Sequence, residues 1–169
     1  MEFFDTVKNR HSVRAFLSKA VESGKLNRII AAANSAPSAH NLQAYEIFLL
    51  EGKSKIAELK SAAMQEFVSK APAVLVFCAH VSEEKATAPS QMYSVLDATI
   101  AASYAQLASA DLGLSSVWVA SFDAGRLMAV IGAKEGLVPI VLMPIGYPAE
   151  NPKPTPRRPL DDIVHKVKG

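Results

Sequence analysis

One cysteine in 169 residues, Cys78, excludes an internal disulfide. Its place inside an apolar run predicts a buried small side chain rather than a nucleophile. The four histidines, His11, His40, His80 and His165, show no i, i+3 or i, i+4 pairing with one another or with suitable carboxylates, so no metal site is expected. No serine stands in a G-x-S-x-G elbow. Asp5, Glu46, Asp97 and Asp111 form no acid/base pair, which leaves a hydrolase without residues. The eight glycines never assemble a G-x-G-x-x-G fingerprint. A net charge of +2, with basic residues scattered and no aromatic interleaving, argues against nucleic acid or an acidic membrane surface as partner. No apolar run reaches the length of a membrane span. The opening Met1-Glu2-Phe3-Phe4-Asp5 carries acids and no signal-peptide pattern, so the chain reads as cytoplasmic.

What is present has a globular balance. Half of the chain is apolar and a fifth charged, enough for one domain over 1–169 with its own core. A short helix is predicted over 2–8, with Phe3, Phe4 and Val7 on one face. Ser23 is expected to cap a helix over 25–33 that turns Leu26, Ile29 and Ile30 inward, with Asn34 as a left-handed stop. Strands are predicted over 45–50, 73–79, 117–120 and 137–145. The second is apolar throughout, as in a sheet covered on both faces. Pro139 and Pro144 place the last one at an edge, at a bulge, or in a shorter form. Between the first two strands, 53–69 is helical with a break near its middle, and 80–91 is a polar connection. The longest helix, about 91–112, holds only Asp97 and Asp111 as charges and six alanines, so it must be buried on several sides. Gly113 closes it, and Asp123 caps a short helix through Ile131 that Gly132 ends. Beyond Gly146, five prolines make a stiff arm that cannot pack a core of its own. Such an arm lies on this domain or on a second copy of it.

Two segments carry the chemistry. In Arg10-His11-Ser12-Val13-Arg14, alternate residues share a side if the backbone is extended. Arg10, Ser12 and Arg14 then converge on one small anion, with His11 and Val13 facing away. Guanidinium suits bidentate capture of phosphate oxygens, and a hydroxyl donates to a third. The second segment is the polar turn from Ala36 to Gln43. Asn41 and Gln43 are two-way amides that, on an extended segment, share a face and read the edge of a planar heterocycle. Taken singly, these residues also fit a solvated basic loop and loop-capping amides. Together, with no acid/base residue beside them, they point to a bound redox cofactor that carries the chemistry itself.

These segments belong to a longer pattern that resembles the FMN-dependent nitroreductase family. Arg10 to Phe16 resembles its R-x-S-x-R-x-F opening, and Ala36 to Gln43 its A-P-S-A-x-N-x-Q. Asp97 to Leu114 is similar to the long central helix, and Trp118 to Phe122 to the strand after it. Ile145 to Glu150 resembles G-Y-P-A-E, and Arg157-Arg158-Pro159-Leu160 resembles R-K-P-L. The resemblance implies an α+β fold with a mainly antiparallel central sheet flanked by helices. It further implies a homodimer joined through the long helix, with exchanged C-terminal arms (146–169) and two FMN molecules at the interface. Arg10, Ser12, Arg14 and Arg157 would hold the FMN phosphate, with His11 beside them. Pro37, Ser38, Ala39, Asn41 and Gln43 would come from the other subunit and line the ring. Ile145 and Gly146 would approach from the opposite side, with Val119 or Ala120 near. Ala44-Tyr45 stands where many members have Pro-Trp, the connection 80–91 is short, and the arm is brief; all three bear on substrate access.

The expected activity is NADH- or NADPH-dependent electron transfer through FMN to a nitroaromatic, quinone or similar small acceptor, by a ping-pong mechanism. A flavin store without turnover, dehalogenation or flavin breakdown on the same scaffold, and an anion-binding interaction protein stay open at this point.

Overall fold

The computed structural model describes residues 2–81, 88–167 and 169; most of the polar connection predicted over 80–91, residues 82–87, lies outside them. Its helices are α1 (Phe3–Asn9), α2 (Ser23–Asn34), α3 (Lys53–Glu58), α4 (Ala88–Asp111) and α5 (Ala124–Ile131). The strands are β1 (Tyr45–Glu51), β2 (Ala73–His80), β3 (Ser115–Ser116) and β4 (Leu137–Gly146). They form one antiparallel sheet in the order β1-β2-β4-β3, so the expected α+β architecture is the observed one. Among the described residues no helix is long and apolar enough to cross a membrane.

Strand β2 is apolar throughout because both sides of it are covered. Leu75 and Phe77 face a core built with Leu26, Ile29 and Ala33 of α2 and with Ala98, Ala101, Ala102 and Ala105 of α4. Val74, Val76 and Cys78 face a second core with Ile56, Leu59, Val68 and Leu127. Full burial of one such branched side chain contributes about 1.5–3 kcal/mol, so these two layers fix the sheet. The α4 alanines recur at helical spacing and let that helix lie close on the strands. Burial pushes the Cys78 thiol up to about 12, which keeps it protonated.

Several sequence expectations are corrected. Ser23 does not cap α2: the cap position is Glu22, and its carboxylate accepts from the Tyr147 hydroxyl instead. Asn34 stays helical, and the helix ends on right-handed Ser35. The segment 53–69 breaks after Glu58 into short 3-10 turns. The strand expected over 117–120 shrinks to β3 plus one bridge, in which Val119 and Leu142 exchange both backbone hydrogen bonds. Proline explains the gap. The Leu142 N–H points toward Val119, Pro144 two residues on would point the same way, and it has no N–H to give. Pro139 sits where the β2–β4 register shifts, at a bulge within a strand that is not at an edge. Gly113 and Gly132 end α4 and α5 with positive φ, and the Asp123 side chain caps α5 by accepting from Arg126 N–H at 2.9 Å.

Gly146 at the end of β4 is demanded by packing. A Cβ there would lie 2.7 Å from Pro72 Cγ and Cδ and 3.1 Å from Phe16 Cδ1. Gly146→Ala is therefore expected to destabilise the fold by about 1–3 kcal/mol through overpacking. The check is a lower urea midpoint with an unchanged denaturant slope.

Candidate active site

After α1 the chain straightens at Arg10 and runs beside β3. Ser12 forms a parallel bridge with Ser116, and Val13 N–H donates to Ser116 O at 3.3 Å. Val13 is buried, which turns its neighbours Ser12 and Arg14 outward, where both are exposed. The predicted alternation holds for these three. His11 departs from it, because it lines the same cavity as Arg10, Ser12 and Arg14 instead of facing away. That cavity measures about 570 Å³, and its far wall is Pro152 to Thr155 and Arg157. A second hollow of about 190 Å³ lies on the other side of Arg10 and His11, against Gln106, Gly113 and Ser115.

The arm is bolted to its own chain before it reaches the cavity. Glu150 Oε1 accepts from the backbone N–H groups of Arg14 and Ala15, Ala149 N–H donates to Ala15 O at 2.8 Å, and Leu17 N–H to Tyr147 O at 2.9 Å. The Tyr147 hydroxyl donates to Glu22 at 2.7 Å and accepts from Lys25 Nζ at 3.1 Å. Lys25 also donates to Leu112 O at the end of α4, and Lys19 Nζ lies 4.0 Å from the Tyr147 ring centre. Arg157 thus reaches the first arginines through a clamped hinge. Sequence reasoning missed Glu150, Glu22 and Lys25 because each acts across more than eighty residues, and it missed Lys8 and Lys153, which also line the cavity.

The second segment is placed elsewhere. It is a tight turn in which His40, Asn41 and Gln43 have φ of 51°, 56° and 48°. Left-handed backbone costs such residues about 1 kcal/mol or more each. The turn is closed by Gln43 N–H donating to Ser38 Oγ at 3.0 Å, and by Gln43 Nε2 donating to Asn41 Oδ1 at 3.2 Å. The two amides do meet on one side, through a turn and not the extended segment expected. Ala39 N–H donates to Asp97 Oδ1 at 3.0 Å, and Asp97 is only 3% exposed. Asp97 precedes Gln106 by nine residues of α4, about 14 Å of helix. Neither Pro37 nor any other residue of this turn lines either of the two cavities beside Arg10. Within one chain the two halves of the predicted constellation are therefore apart.

The remaining candidates divide. Ala120 is exposed, whereas Val119 is buried with both backbone groups spent on Leu142. Ile145 is wholly buried, and Gly146 has Pro72 and Phe16 against it, so protein already occupies the space where a ring was expected to approach. The buried Trp118 Nε1 has no hydrogen-bond partner among the described residues, a state worth about 1–3 kcal/mol to relieve.

An antiparallel sheet between helix layers, with a cationic cleft where its last strand meets the N-terminal segment, defines the class. The matching family model is the nitroreductase family, over residues 7–75 and 60–147, and the chain belongs to that family. It is 30% identical over 192 residues to an NADH dehydrogenase of Thermus thermophilus, covering 92% of this chain and 91% of that one. It is 27% identical to an FMN reductase [NAD(P)H] of Bacillus subtilis, covering 98% of this chain and 73% of the relative. Among solved structures, an FMN-dependent nitroreductase from Clostridium difficile superposes with a TM-score of 0.83 at 27% identity, covering 96% of this chain and 98% of that one.

The Tyr147 hydroxyl, ahead of the exposed Lys19, holds the Glu22 carboxyl down to about 2. A depressed acid stabilises the fold above its ordinary value near 4.5 and loses that contribution as pH falls toward 2. Glu22→Gln should flatten the acid limb of thermal stability between those pH values, read as a smaller drop in Tm than the parent chain shows.

Proposed function

We propose that this chain binds FMN and works as an NAD(P)H-dependent oxidoreductase, assembled as a homodimer. The observation that carries this is the cavity in which Arg10, Arg14, Arg157 and the Ser12 hydroxyl meet without a lining carboxylate. These groups fit a phosphate: guanidinium forks take its oxygens in pairs, and a hydroxyl donates to another. The names of the relatives, FMN reductase and FMN-dependent nitroreductase, support the flavin. When bound, FMN supplies electron-carrying chemistry for which the cavity's side chains offer no substitute.

The chain's own residues then have distinct tasks. Arg10, Arg14 and Arg157 hold the phosphate end. Asn41, Gln43 and Ser38 of a second copy read the ring edge, since the same turn of one chain stands some 14 Å along α4 from the clamp. The outward face of α4 supports that pairing: Met92, Leu96 and Tyr104 are 57%, 48% and 41% exposed, and Phe4 on α1 is 82% exposed. The end of the arm offers a further handle, because Leu160, Ile163 and Val164 are exposed while Tyr147 to Glu150 are fastened to their own chain. One open site serves nicotinamide donor and oxidised acceptor in turn, the latter a nitroaromatic, a quinone or a similar small molecule.

A charge-assisted phosphate contact contributes about 1.5–3 kcal/mol, so Arg14→Ala should weaken FMN roughly ten- to a hundredfold with the circular dichroism spectrum preserved. Stoichiometric FMN retained by that variant contradicts the clamp. The only tryptophan, Trp118, gives a second readout. Its emission should rise when flavin is stripped, because a flavin near the strand after Ser116 absorbs where indole emits.

A further inference from the structure

Three arginines suffice for one phosphate monoester, yet the cavity also has Lys8 and Lys153 in its wall. Lys8 belongs to the last turn of α1 and Lys153 to the proline-rich arm, so two separately built elements bring amines to one space. Among the described residues none of these five cations has an ion-pair partner, whereas Lys19, Lys55, Lys70 and Arg126 elsewhere each have one. No Asp or Glu lines the cavity, and Glu150 close by spends its carboxylate on backbone N–H groups. A phosphate monoester carries at most about two negative charges at neutral pH, which leaves roughly three positive charges unanswered. The volume agrees: about 570 Å³ is the size of a small-molecule pocket and exceeds the needs of a single anion.

We infer that Lys8 and Lys153 form a second phosphate subsite beside the one held by the arginines, so that the cavity takes a ligand pair or a single ligand presenting two phosphates. The inference rests on the flavin reading for the identity of the first phosphate. Two sources supply the second. One is the diphosphate of an adenylated flavin (FAD), and the other is the 2′-phosphate of NADPH standing next to bound FMN. Both sources need the same chemistry, point-like ammonium groups on flexible stems.

The test compares the full-length chain with the double variant Lys8→Gln/Lys153→Gln. Both positions are exposed, so the variant folds, which circular dichroism checks. Three ratios are read: affinity for FAD over FMN by competition, kcat/KM for NADPH over NADH, and affinity for inorganic pyrophosphate over inorganic phosphate by calorimetry. The account expects the third ratio, and one of the first two, to fall about tenfold or more in the variant; whichever of the first two falls identifies the source. Unchanged ratios overturn the subsite. A proportional loss of FMN and FAD with no change in the pyrophosphate preference also overturns it, because the lysines then belong to the first phosphate alone. If the parent chain holds no flavin yet prefers pyrophosphate in a manner lost with the lysines, the subsite stands and the flavin reading falls.

Discussion

Like charges gathered around one space repel, and the structure is arranged to hold them there regardless. Lys8, Arg10, Arg14, Lys153 and Arg157 share a cavity wall without a carboxylate among them. On one side the restraint is the backbone pairing of Ser12 and Val13 with Ser116, itself the neighbour of Ile145 in the sheet. On the other it is Glu150, which ties the arm to the N–H groups of Arg14 and Ala15. Behind the arm, Tyr147 is pinned by Glu22 and Lys25, and Lys25 also satisfies a carbonyl at the end of α4. The two covered faces of β2 supply the rigidity that these links draw on. An anion entering the cavity meets donors already in place, which is how preorganisation raises affinity.

The long helix sets the second constraint. Its buried side is alanine, which brings the sheet close, while its outward side keeps large apolar residues in solvent. A strained turn with three left-handed residues is fastened near the start of its described part through Asp97, and the cationic cleft adjoins its end. Backbone strain of that kind persists where surrounding structure over-determines it, and it gathers at functional sites. The proposed dimer accounts for both observations at once, because a second copy covers the apolar side and brings its own turn toward the first copy's cleft.

The legible part of this fold was whatever short-range rules decide. The continuous apolar run from Ala73, the Asp123 cap and the glycine stops at Gly113 and Gly132 could be read because each depends on neighbours a few residues away. The alternation of Ser12, Val13 and Arg14 was legible for the same reason. Ser23 misled because nothing local reveals that Glu22 is held by Tyr147, over a hundred residues later. The strand expected at Val117 to Ala120 failed because its partner, β4, carries a proline where the ladder needed a donor. Gly146 carried a family signal whose cause in this chain is Pro72 pressing on it. Lys8 and Lys153 were invisible since their meeting depends on the path of the arm.

The central claim is that these cations hold a flavin's phosphate as a dianion. Phosphorus NMR of the chain saturated with FMN tests it most directly, because a free phosphate monoester titrates near pH 6. The account predicts one bound resonance whose shift stays constant from pH 5 to 8, the cleft having lowered the phosphate's second pKa below that range. A resonance that titrates as free FMN does would contradict it.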